Sequence, residues 1–202
     1  MRFMSLVVCA LAGMLSGYLV QPLAAQTAEQ LAFIPAGGRS LLTDIATSKP
    51  PAHADELKPL LTGKRSRDEW SGYLNAHSKA VPAIQSLSDK QRLTLADYLS
   101  FHIPLPANQV PANLARTDWT RTLAKDGRDL ALDNCQGCHI ITVVVTQERS
   151  KTFWLGTLGT PSHAVIKLTP EQREELASYL ELNAGIPIEQ VPEELRASGA
   201  TY

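Results

Sequence analysis

Two stretches of this chain can be laid over one another, and that constrains its fold more than any other feature. Leu168-Thr169-Pro170-Glu171-Gln172-Arg173-Glu174-Glu175-Leu176-Ala177-Ser178-Tyr179-Leu180 falls on Leu87-Ser88-Asp89-Lys90-Gln91-Arg92-Leu93-Thr94-Leu95-Ala96-Asp97-Tyr98-Leu99. They share a leading Leu, then Ser or Thr, then Leu-Ala and Tyr-Leu. The match runs on without a gap, placing Gln190-Val191-Pro192 on Gln109-Val110-Pro111 and Leu195 on Leu114. Upstream, Trp154 and Leu158 match Trp70 and Leu74 once a three-residue gap is allowed. Further up, Gly127-Arg128 and Leu130 resemble Gly38-Arg39 and Leu41. Blocks recurring in the same order mark an internal duplication. The reading is a first copy over residues 26–115 and a second over 116–202.

Local signals make each copy helical. Thr169 suits an N-cap, Pro170 the first helical position, and Gln172 completes a capping-box pattern. Leu176, Tyr179, Leu180 and Asn183 then recur at helical spacing until Gly185 and Pro187 end the run. Ser88 opens the matching helix of the first copy and Pro104 stops it. Leu87, Leu95, Tyr98 and Leu99 are expected to be buried on one face of it. Trp119 to Asn134, with Leu123, Leu130 and Leu132 among polar residues, reads as one amphipathic helix. Only Ile140 to Thr146 has a strand-like run of β-branched residues, and it is taken as an extended loop. The expected class is all-α, with proline-rich connectors such as Ile103 to Pro111.

The first 25 residues have a different character. Arg2 is the only charge before Glu29, and an apolar run from Phe3 to Val20 ends at Gln21-Pro22-Leu23-Ala24-Ala25. A positive start, an apolar middle and small residues before a polar stretch describe a secretory signal peptide over residues 1–25. The expected location is therefore periplasmic, with membrane attachment only if the segment stays uncleaved. The formal net charge is −1, and losing Arg2 takes it to −2. Charge this close to neutral gives no footing for nucleic acid binding.

Three cysteines are present, and Cys9 lies in the leader. The remaining pair stands in Cys135-Gln136-Gly137-Cys138-His139. Structural disulfides of exported proteins normally span loops, so a pair three apart, followed by histidine, points to a local chemical site. Three chemistries use this spacing. Haem c attachment uses both thiols for the vinyl groups and the adjacent histidine for iron. A thioredoxin-like redox pair needs a βαβ setting, which is missing. A zinc site needs further cysteine or histidine ligands at suitable spacing. Haem best suits an exported chain with no other cysteine.

The run Gly127-Arg128-Asp129-Leu130-Ala131-Leu132-Asp133-Asn134, leading straight into Cys135, resembles the class I c-type cytochromes, and the resemblance covers the whole second copy. It implies two cytochrome c-like helical domains in tandem, the first degenerate. One covalent haem c would be bound through Cys135 and Cys138, with His139 as proximal iron ligand. It also implies that Gly127 packs against an aromatic of the last helix, for which Tyr179 is the match. The first copy has roughly Ala46, Lys49 and Pro50 where the second has Cys135, Cys138 and His139, so it is expected to have lost the cofactor and filled the space.

One element departs from that family. The usual sixth ligand is a methionine before the last helix, and this chain reads Thr160-Pro161-Ser162-His163 there. Met1, Met4 and Met14 all lie in the leader, so a mature protein has no methionine to offer. The sixth position is left to His163, to water or an open site, or to a histidine of the first copy (His53, His77 or His102). The expected function is periplasmic electron transfer, as a subunit or partner of an oxidoreductase and not as an enzyme in its own right. The alternative is a haem-based sensor or small haem enzyme binding a gas or peroxide at an open iron.

Overall fold

The computed structural model describes residues 27–48, 54–79, 81–114, 117–136 and 138–196. The leader at 1–25, and Lys49, Pro50, His53 and Gly137, lie outside the described residues. Those described form ten α-helices and no strand: the chain is all-α. None of these helices is long and apolar enough to cross a membrane.

The helices start where local chemistry says they should. In α5 (Asp89–His102) the Ser88 hydroxyl accepts from the Gln91 amide, and the Gln91 side chain accepts from the Ser88 amide. In α10 (Pro170–Asn183) Thr169 and Gln172 do the same. Such a cap is worth about 1 kcal/mol. Leu95, Tyr98 and Leu99 are buried as expected. Leu87, however, precedes the helix and is only half-buried against the core.

Buried apolar residues form two cores. The first draws on α1 (Gly38–Ala46), α2 (Ala54–Thr62), α3 (Arg67–His77), α4 (Pro82–Gln85) and α5. The second draws on α7 (Gly127–Asn134), α8 (Ile141–Val145), α9 (Lys151–Leu158) and α10. The segments ahead of α1 and α7 are exchanged. Leu31 and Ile34 are buried in the second core, whereas Trp119 and Leu123, around α6 (Trp119–Thr122), are buried in the first.

Polar contacts repeat the exchange. Tyr98 Oη donates to Ala124 O (3.1 Å), and Tyr179 Oη donates to Pro35 O (2.6 Å). Arg39 reaches Thr120 O, and Arg128 reaches Leu31 O. Where α5 meets α10, His102 pairs with Glu175 at 2.8 Å, and Asn183 bonds Thr94 at 3.1 Å. Ser178 Oγ donates to Asp97 between these two pairs. Apart from the Asp97–Ser178 bond, which joins equivalent positions, each contact has a counterpart with the partners' roles traded, as about a twofold axis.

Two local expectations need correction. The strand-like stretch after the motif is a helix, Ile141–Val145, with Ile141, Thr142 and Val145 buried. Burial of that face overrides the modest helix penalty of β-branched residues. The stretch from Trp119 to Asn134 is two helices, because Asp126 caps α7. Its carboxylate accepts from the amides of Asp129 and Arg39, and a capping residue has non-helical backbone.

The contact between the copies buries three carboxyls. Burial pushes Asp97, Asp126 and Glu175 above the ordinary carboxylate range; Ser178 opposes this at Asp97, nearby Asp129 adds to it at Asp126, and His102 opposes it at Glu175. The folded protein therefore holds these protons to higher pH than the unfolded chain does. The stabilisation they give is complete below the unfolded carboxylate value of about 4 and is lost as pH rises through the raised values. Glu175→Gln should flatten the fall in stability between about pH 4 and neutrality. Urea unfolding across that range checks it, and a slope equal to the parent's would remove Glu175 from the account.

Candidate functional site

Helix α7 delivers the motif. Gly127 lets it approach α10 closely, since a Cβ there would sit 2.3 Å from Tyr179 Cβ. Gly38 stands in the same relation to Tyr98, at 2.1 Å. Cys135 is the C-cap of α7, its amide bonded to Ala131 O, and Cys138 and His139 occupy the turn before α8.

A cleft of about 600 Å³ opens beside that turn, within the usual range for small-molecule and cofactor sites. Cys135, Cys138, His139 and His163 all line it, so the fold brings the four sequence-predicted site residues together. Val143, Val144, Phe153, Trp154 and Val165 give it apolar walls. Phe153 is 51% exposed and Val165 72%, a large apolar surface left bare on the wall of a cleft. In the first core Leu57, Leu60, Leu61, Val81 and Ile84, from α2 and α4, are each at most 4% exposed, yet a cleft of about 470 Å³ opens there too, beside Leu41, Asp44, Pro82 and Leu87, with neither cysteine nor histidine in its lining.

The two thiols are free. Burial pushes Cys135 up to about 11, which keeps it a neutral thiol at physiological pH. Redox-exchange cysteines work as thiolates with depressed pKa values, so this environment opposes a thioredoxin-like role. Among the described residues no three His, Cys, Asp or Glu side chains gather to hold a bare ion. A porphyrin supplies its own equatorial nitrogens and asks the protein only for axial ligands. Trp154 lines the cleft, and its indole nitrogen, like those of Trp70 and Trp119, is buried with no hydrogen-bond partner among the described residues. The residues present fit a haem.

The loop bearing His163 is pinned at both ends by one side chain. Arg173 of α10 donates to Leu158 O (2.5 Å) and to Ile166 O (2.9 Å). Between them lies a 3₁₀ turn, Pro161–His163. His163 Nδ1 lies 2.8 Å from Thr160 Oγ1 and 3.2 Å from Ser162 Oγ. The first copy's described histidines are engaged elsewhere: His77 stacks on Tyr73 at 3.9 Å, and His102 pairs with Glu175. Neither lines the cleft.

Sequence reading missed the cleft walls. Val143 and Val144 were masked by their strand-like pattern, and Trp154 was noticed only as a repeat marker. It recurs at Trp70, in a core with no cysteine or histidine motif, so the repeat signals shared packing and not a cleft wall. Comparison of the chain with protein-family models, with curated proteins and with solved structures found no match.

Proposed function

We propose that this protein is a monohaem c-type cytochrome of the periplasm that transfers electrons to or from an oxidoreductase, its first copy being a cofactor-free cytochrome c-like domain. One observation carries the reading: Cys135, Cys138, His139 and His163 share a single apolar cleft. The reciprocal contacts around α5 and α10 support two copies of one helical domain in tandem.

When bound, the haem supplies a one-electron iron couple. The chain's own residues hold and tune it. Each thiol adds its sulfur and its hydrogen across a vinyl double bond, so attachment releases no leaving group. Cys135 and Cys138 would hold the group and His139 would offer its imidazole to the iron. Val143, Val144 and Leu180 exclude water from the ring, and burial of the ring is one lever on potential. Phe153 and Val165, on the exposed lip, shape the face a redox partner meets.

Intact mass of exported protein, produced with haem-maturation machinery, should show one haem and a chain shortened by about 25 residues. Two haems, or none, would refute the reading. Cys135→Ala or Cys138→Ala should leave a single thioether, and His139→Ala should disturb the iron spectrum more than either. Oxidised mature protein should lack the weak near-infrared band of methionine-ligated haem c, because all three methionines precede residue 26. Its potential should lie below that of His/Met relatives, since methionine ligation raises it.

A further inference from the structure

The hydrogens on three side chains decide which nitrogen of His163 is free to bind a metal. Thr160 has one hydroxyl hydrogen, and Thr157 O, 2.8 Å away, is the one neighbour of that hydroxyl that can only accept it. The contact between Thr160 Oγ1 and Ser162 Oγ, 3.0 Å long, must then use the hydrogen of Ser162. With both hydroxyl hydrogens spent, the two oxygens beside His163 Nδ1 can only accept. Nδ1 therefore carries the imidazole hydrogen, and Nε2 carries the lone pair.

The arrangement is held from behind. The Thr160 amide also bonds Thr157 O (3.1 Å), and the His163 amide bonds Thr160 O (3.0 Å). Arg173 fixes the ends of the loop to α10. A histidine that binds metal almost always donates its other ring N–H to a fixed acceptor, which sets the tautomer and raises ligand basicity. Here two hydroxyls provide that acceptor, and one belongs to Thr160, the residue standing where the resemblance would put a methionine.

We propose that Thr160 and Ser162 are positioning residues: they hold His163 as the Nδ1–H tautomer and present Nε2 as the distal iron ligand. This rests on the haem reading above and adds the identity of the sixth ligand and what orients it.

The test uses the full-length haem-loaded protein, with the spectrum of the oxidised form and carbon monoxide binding by the reduced form. Wild type should be low spin and bind carbon monoxide slowly. His163→Ala should turn high spin and bind it readily. The double variant Thr160→Val with Ser162→Ala should move partway. Losing an outer-shell partner typically costs roughly 10–100-fold in metal affinity, so carbon monoxide binding should speed up by about ten-fold or more. Thr160→Ser keeps the hydroxyl and should restore wild-type behaviour. Both side chains are exposed, so these variants should melt with the parent. A double variant indistinguishable from wild type overturns the positioning role. A wild type already high spin and open to carbon monoxide overturns His163 ligation, leaves the haem reading standing and favours gas or peroxide binding. A matured protein without haem overturns both.

Discussion

A fragment running from residue 117 to 196, the second copy by itself, should not fold cooperatively, although it carries every residue proposed to hold the haem. Its core is completed from elsewhere. Leu31 and Ile34, at 7% and 3% exposure, belong to it, and burying such side chains is worth roughly 1.5–3 kcal/mol each. Without residues 27–36, Tyr179 Oη loses Pro35 O, and Arg128 loses its acceptors at Leu31 and Ile34. An abandoned buried hydroxyl costs about 1–3 kcal/mol. Removing the first copy also leaves Asp97's partner Ser178 and His102's partner Glu175 exposed on α10. The sum approaches the roughly 5–15 kcal/mol by which a domain is stable. Circular dichroism and thermal melting of 117–196 against 27–196 would decide the matter, and a cooperative melt of the fragment would refute the exchange of segments.

A large effect of a single substitution should come at Gly127, which also carries the motif helix. A Cβ there would stand 2.3 Å from Tyr179 Cβ and 3.0 Å from Glu175 O, and neither atom is the loose end of a flexible chain. Gly127→Val should therefore push α7 away from α10, costing about 3 kcal/mol, and with it the placement of Cys135. Gly72 is the internal control, being mid-helix in α3 with nothing within 4 Å of its Cβ position. Gly72→Ala should stabilise by roughly 0.5–1 kcal/mol. Denaturant melts of both variants test the pair, because only the packing argument gives them opposite signs.

Much of this was legible from the chain because the signals are short-ranged. Ser88 with Gln91, and Thr169 with Gln172, set the starts of α5 and α10 through contacts three residues long. The Cys-X-X-Cys-His motif is five consecutive residues, and Gly127 packs against Tyr179 as expected. Illegible were features whose causes lie far away. Ile141–Val145 has the composition of a strand and is helical because of what it buries. Leu123 ends α6 in the first core while Asp126 opens α7 against Arg39, some 87 residues back.

The sequence by itself determined the helix starts, the thiol and histidine set, and the lack of methionine beyond residue 25, because each is a matter of composition or of neighbours within one helical turn. Only the tertiary structure decided that the segments ahead of α1 and α7 each pack into the other core, and that one cleft gathers Cys135, Cys138, His139 and His163. Those outcomes depend on burial, which is settled only when distant residues pack together.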